Sequence, residues 1–94
     1  MSARYTGISL KEHRRIARVL VDTMARFQEF ESLLAAAYGT SSKEHRKVIS
    51  ALYKINQLRA QLDETIVREH PEQSRKELRQ YYYPSEMDDG QQDP

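Results

Sequence analysis

Residues 35 to 48 read AAAYGTSSKEHRKV, and the fold turns on how this stretch is read. The run into Tyr38 favours helix, and Gly39 stops it, because glycine takes the left-handed backbone conformation at little cost. Ser41 followed by Glu44 then matches the capping box S-x-x-E, in which a serine oxygen and a glutamate carboxylate each answer an unpaired backbone N–H. One helix therefore ends and another begins within about four residues. Two long helices joined so tightly form an antiparallel hairpin.

Upstream, Ser9 and Glu12 repeat the capping box. Ile16, Leu20, Thr23, Phe27, Phe30, Leu34 and Ala37 come next, spaced alternately by four and three, which places them along one helical face. This predicts a first helix over 10–38, about 43 Å long at about 1.5 Å per residue. Downstream, Val48, Leu52, Ile55, Leu58, Leu62 and Ile66 form a second apolar stripe, widened by Ile49, Ala51 and Thr65. The second helix is expected over 42–70, since Pro71 disfavours helical geometry in the residue before it. A shorter third helix is expected over 72–82, with Leu78, Tyr81 and Tyr82 on one side. Residues 1–83 read as one helical domain. Residues 84–94 lack apolar period and read as a disordered acidic tail.

The fold class expected is all-α, a long antiparallel hairpin with a short third C-terminal helix. Each seam residue of a lone hairpin is covered on one side only. Two hairpins closing into a four-helix bundle would bury the seams, so a homodimer is expected. The size argues the same way: 94 residues bury only about 60–65% of the unfolded surface, which leaves a monomer marginal.

Composition excludes several classes. Charged residues make up 31% of the chain, and no apolar run approaches the roughly 18 residues of a spanning helix, so no membrane association is expected. There is no cysteine, hence no disulfide framework and no thiolate chemistry. With no apolar leader after Met1, a cytoplasmic location is expected. The net charge of +1 conceals an asymmetry: residues 1–83 hold all 15 Lys and Arg against ten acids, and residues 84–94 hold four acids and no base.

The chain contains one internal echo. KEHRRI at 11–16 returns as KEHRKV at 43–48, within a wider match of 9–20 to 41–52. In each copy the histidine stands one turn ahead of the first apolar seam residue. The plain reading is a formula for starting a helix. A sharper one notes cations crowded where the helix dipole disfavours them, as at a site for phosphate or carboxylate. At the open end of the hairpin, Lys11, His13, Arg14, Arg15 and Arg18 meet Arg68, Arg75, Lys76 and Arg79, with Arg4 nearby, in a basic pole beside Tyr81, Tyr82 and Tyr83. These nine form the candidate anion-binding set, and the tyrosines could stack on single-stranded nucleic acid.

Glutamate precedes histidine at 12–13, 44–45 and 69–70. Successive helical residues point about 100° apart, so no such pair chelates one ion from one face, and no metal or other cofactor is expected, the one route to a metal being a pairing of His13 and His70 between chains. Catalytic signatures are absent too: no G-x-S-x-G, no phosphate loop and no paired inward carboxylates, so no enzyme is expected. INQLRAQLDETIV at 55–67 resembles the opening of the small all-helical chorismate mutases, but the 28 residues after Ile66 leave no room for that family's catalytic helices. The hairpin with Tyr82 and Glu86 is similar to the secreted WxG-type helical hairpins, which carry Y-x-x-x-D/E after their second helix. This chain has no tryptophan, and neither resemblance assigns it an activity.

The expectation is a non-enzymatic protein–protein interaction module, an adaptor or regulatory subunit. It would self-associate through the seam of Ile16, Leu20, Phe27, Phe30 and Leu34 against Val48, Leu52, Ile55, Leu58, Leu62 and Ile66, and bind another protein. The alternative is an accessory binder of nucleic acid or an anionic ligand at the basic pole.

Overall fold

The computed structural model describes residues 7–84, which hold three helices and no strand: α1 (Leu10–Tyr38), α2 (Lys43–Glu69) and α3 (Arg75–Tyr82). Arg4 and all of the expected acidic tail except Pro84 lie outside the described residues. The Ser9 hydroxyl accepts the Glu12 N–H at 3.1 Å and starts α1. Gly39, at φ +94°, ends it, with its N–H on the Ala35 carbonyl at 2.9 Å. A Cβ there would meet nothing within 4 Å, so glycine is favoured at this turn by conformation and not by crowding.

The second helix starts one residue later than its sequence echo implies. Ser42, not Ser41, is the cap: its hydroxyl accepts the His45 N–H at 3.1 Å and donates to the Gly39 carbonyl at 2.8 Å. Closing the turn onto Gly39 is what selects the second serine. The two copies of KEHR are thus offset by one position relative to their helix starts. α3 also begins late, at Arg75 instead of residue 72. Pro71 to Gln73 form a turn closed by the Gln73 N–H on the His70 carbonyl at 3.1 Å, and Ser74 caps the third helix.

The inward face follows the apolar spacing on α2 except at Leu58 and is rotated from it on α1. On α1 the buried and half-buried stripe is His13, Ala17, Leu20, Met24, Phe27, Glu31 and Leu34. On α2 it is His45, Val48, Leu52, Ile55, Arg59, Leu62, Ile66 and Glu69. Three residues expected on the seam are instead exposed: Ile16 at 37%, Phe30 at 47% and Leu58 at 50%. A count of apolar residues alone passes over His13, Glu31 and Glu69, which belong inside because they have hydrogen-bond partners there, and Arg59, whose guanidinium stacks on Tyr83.

The densest core lies at the open end, where Ala17, Ile66, Leu78 and Tyr82 are buried together with Leu10, Leu20, Leu62, Val67, Tyr81 and Tyr83 packed around them. Eight residues of α3 could not hold a helix in isolation. Leu78 and Tyr82, 1% and 0% exposed, fix it to the hairpin, and burial of a large apolar side chain is worth about 1.5–3 kcal/mol. α3 is therefore a lid over one end of the hairpin, and much of the remaining seam is covered on one side only.

Candidate functional site

Helix α1 enters the core with a histidine four positions into its first turn, and the end of α2 runs back alongside it. His13 is consequently fully buried. Its Nε2 lies 3.0 Å from Glu69 Oε1, and its Nδ1 lies 2.7 Å from the Tyr82 hydroxyl of α3. A carboxylate has no proton to give, so Nε2 carries the hydrogen and donates. In the neutral ring Nδ1 is then the acceptor, and Tyr82 donates to it. Glu69 Oε1 also takes the Ile8 N–H at 3.3 Å, and a nitrogen of the next residue, His70 Nε2, donates to the Ile8 carbonyl at 2.9 Å. The strap of Gly7 and Ile8 is thereby tied across the end of α2. Gly7, at φ +80°, lies so close that a Cβ would come within 2.5 Å of the Glu69 carboxylate carbon.

The electrostatics derive from these contacts. The hydrogen bond from His13, helped by the Ile8 N–H, holds the Glu69 carboxyl below the usual carboxylate range against the opposing effect of desolvation. Burial, with the negative charges of Glu69 and Asp63, pushes the Tyr82 phenol up to about 12. Tyr82 is thus a proton donor held neutral. Tyr82 and His13 are both fully buried, and of the Tyr–His–Glu chain Glu69 alone keeps some exposure, 21% of its side chain.

The second histidine of the repeat has a matching arrangement at the turn. His45 is 8% exposed, its Nε2 lies 2.8 Å from Glu31 Oε2 of α1, and its Nδ1 lies 3.1 Å from the Thr40 carbonyl. The repeat therefore marks a polar clasp at each end of the hairpin, joining the start of one helix to the later part of the other. Sequence reasoning singles out both histidines, and Glu69 only as the neighbour of His70; it passes over Glu31 and the pairing of either glutamate with its histidine. Glu31 and Glu69 stand in phase with the apolar stripe, four residues after Phe27 and three after Ile66, and that spacing is the signal by which they could be found.

His13, Glu69 and His70 also form a cluster whose ligand-capable atoms lie within 4.8 Å of one another. The expectation that a Glu-His pair cannot converge holds within a helix, but α2 ends at Glu69. His70 has φ −129° and ψ 63°, and this break brings the two side chains together.

The basic pole is only partly available. His13 is removed from the candidate anion set by its burial. Arg14 donates to the Tyr81 hydroxyl at 3.0 Å with its guanidinium 4.9 Å from the ring centroid. Arg79 and Arg59 stack on Tyr83 at 5.2 and 4.3 Å, and Arg79 lies 3.9 Å from Asp63. These contacts hold α3 to the hairpin, with Tyr81 and Tyr83 packed against the core. Lys11, Arg14, Arg15 and Arg18 line a concavity of about 610 Å³ with Ser9 and Glu12, while Arg68, Arg75 and Lys76 are exposed outside it.

On the other side of the hairpin an apolar flank is bare. α3 lies against α1 near Arg14, Arg18 and Val21. At about 100° per residue, Ile16, Val19 and Phe30 fall on the opposite side of that helix. Leu58 is similarly opposite Asp63 and Val67, which meet α3. Ile8, Ile16, Val19, Leu20 and Thr23, with Glu12 and Arg15, line a hollow of about 460 Å³ on this flank. No protein-family model, curated protein or solved structure matches the chain.

Proposed function

We propose that the chain is a non-enzymatic helical interaction module that self-associates through the flank bearing Ile16, Val19, Phe30 and Leu58. The observation that supports this is the exposure of these four, between 37 and 61%, beside half-buried Leu20, Phe27, Ile55 and Leu62. Such a stripe is continuous with the hairpin seam, and wetting it costs about 25 cal/mol per Å². A second copy of the hairpin presents the same face in return, which gives the isologous contact of a twofold dimer and completes four helices around one core. Sedimentation equilibrium at micromolar concentration should report twice the 11.0 kDa chain mass. Phe30→Glu with Leu58→Glu should return the monomer with its helicity intact. A wild-type chain that stays monomeric at that concentration defeats the proposal.

The concavity formed by Lys11, Arg14, Arg15 and Arg18 favours a second reading, binding of nucleic acid or another polyanion. Two features weigh against it: Arg14 is already paired with Tyr81, and Glu12 shares the hollow. Phosphate contacts weaken steeply with salt, whereas an apolar interface hardly responds. Fluorescence anisotropy with single- and double-stranded DNA at two salt concentrations separates the readings, and Arg15→Glu with Arg18→Glu should abolish any such binding.

A further inference from the structure

We propose that His13, Glu69 and His70 bind one divalent transition-metal ion of the zinc class within a single chain, independently of any self-association. Two imidazoles and one carboxylate suit zinc and its first-row neighbours, whereas calcium and magnesium take oxygen shells that this set cannot supply. His13 Nε2 and Glu69 Oε1 are already 3.0 Å apart. That is near the roughly 3.3 Å edge of a tetrahedron with metal–nitrogen bonds of about 2.0–2.1 Å. All three ligand atoms lie within 4.8 Å, so the remaining closure is about 1.5 Å, within reach of a side-chain rotation of His70 at its non-helical position.

Metal-binding histidines are oriented by a second ring nitrogen that donates to a carboxylate, a backbone carbonyl or water, and here a phenol oxygen stands in the place of water. For His13 the holder is Tyr82, at 2.7 Å from Nδ1. His70 Nε2 is held by the Ile8 carbonyl at 2.9 Å, which leaves Nδ1, 3.6 Å from Glu72, as the nitrogen to face the ion. Binding requires no net proton release from His13. Its hydrogen passes from Nε2 to Nδ1, the new N–H donates to the Tyr82 oxygen, and the phenol proton turns away. Glu69 and His70 side chains keep 21% and 18% exposure, which gives the ion an entry path and leaves water for its fourth position. The ion would tie together the 7–8 strap, α1 and the end of α2.

The test uses the full chain without an affinity tag, titrated with zinc chloride in competition with a chromogenic chelator and with cobalt(II) as a spectroscopic probe. One equivalent per chain is expected, with tetrahedral cobalt bands and a raised melting temperature that EDTA reverses. His70→Ala, at a partly exposed position, should keep its helicity and lose at least tenfold in affinity. Tyr82→Phe should lose about 10- to 100-fold through the orientation of His13. His45→Ala at the opposite end should bind as the wild type does. Failure of zinc to compete with the chelator, half an equivalent per chain, or wild-type affinity in His70→Ala would each overturn the site.

Discussion

A histidine in a protein core needs an answer for each ring nitrogen, and His13 has one from Glu69 and one from Tyr82. Removing the ring strands the fully buried Tyr82 hydroxyl and leaves Glu69 with the Ile8 N–H, and a buried unsatisfied polar group costs about 1–3 kcal/mol. His13→Ala should therefore destabilise the chain by several times as much as His45→Ala, whose partner Glu31 is one-third exposed and can turn to water. Urea denaturation of the two variants checks the ratio. The same network sets the pH range. Glu69 titrates below its ordinary value of 4.5 in the folded chain, so its contribution is present above that value and is lost as pH falls through the lower folded one. Tyr82 is raised from 10.0 to about 12, so the neutral phenol favours the folded state below pH 10 and that contribution disappears as pH rises towards 12. Melting temperature against pH in metal-free protein should fall on both sides, and Tyr82→Phe should lose the alkaline fall while keeping the acid one.

At the scale of elements, α3 depends on its anchors. Leu78→Ala should cost about 2–5 kcal/mol and release the third helix, seen as lost helicity and a lowered urea midpoint. Phe30→Ala removes a ring that is 47% exposed and should cost the isolated chain about 1 kcal/mol, well under the 3–5 kcal/mol of a fully buried phenylalanine. A larger loss that grows with protein concentration would locate Phe30 in a contact between copies. Legibility in the sequence varies in the same way from element to element. Gly39 and Ser9 mark helix ends through local backbone chemistry, so α1 is legible to the residue. The cap of α2 reads one position early because two serines stand in tandem and only the turn geometry, Ser42 on the Gly39 carbonyl, chooses between them. The phase of the inward face on α1 is not legible from apolar spacing, since Glu31 is inside for the sake of a histidine on the other helix. The convergence of Glu69 with His70 depends on where α2 breaks, a fact of tertiary structure that Pro71 only hints at.

For the whole molecule, the uneven covering of the hairpin predicts a stability that depends on concentration. If the bare flank is shared between copies, the melting temperature should rise with protein concentration and be nearly indifferent to salt, as differential scanning fluorimetry over a hundredfold dilution would show. The two clasps bear on a separate question, that of sliding. Heptad stripes are nearly self-similar, and α2 moved by seven residues along α1 would again set leucine and isoleucine against phenylalanine and leucine. Such a slip amounts to about 10 Å of travel. It would carry His13 away from Glu69 and His45 away from Glu31 at once, leaving buried imidazoles at both ends with nothing to bond. The penalty is paired and falls at opposite ends of the molecule, so no bend or partial fraying relieves both. A near-periodic seam is thus given a single alignment, and misaligned hairpins formed early in folding have reason to come apart and try again.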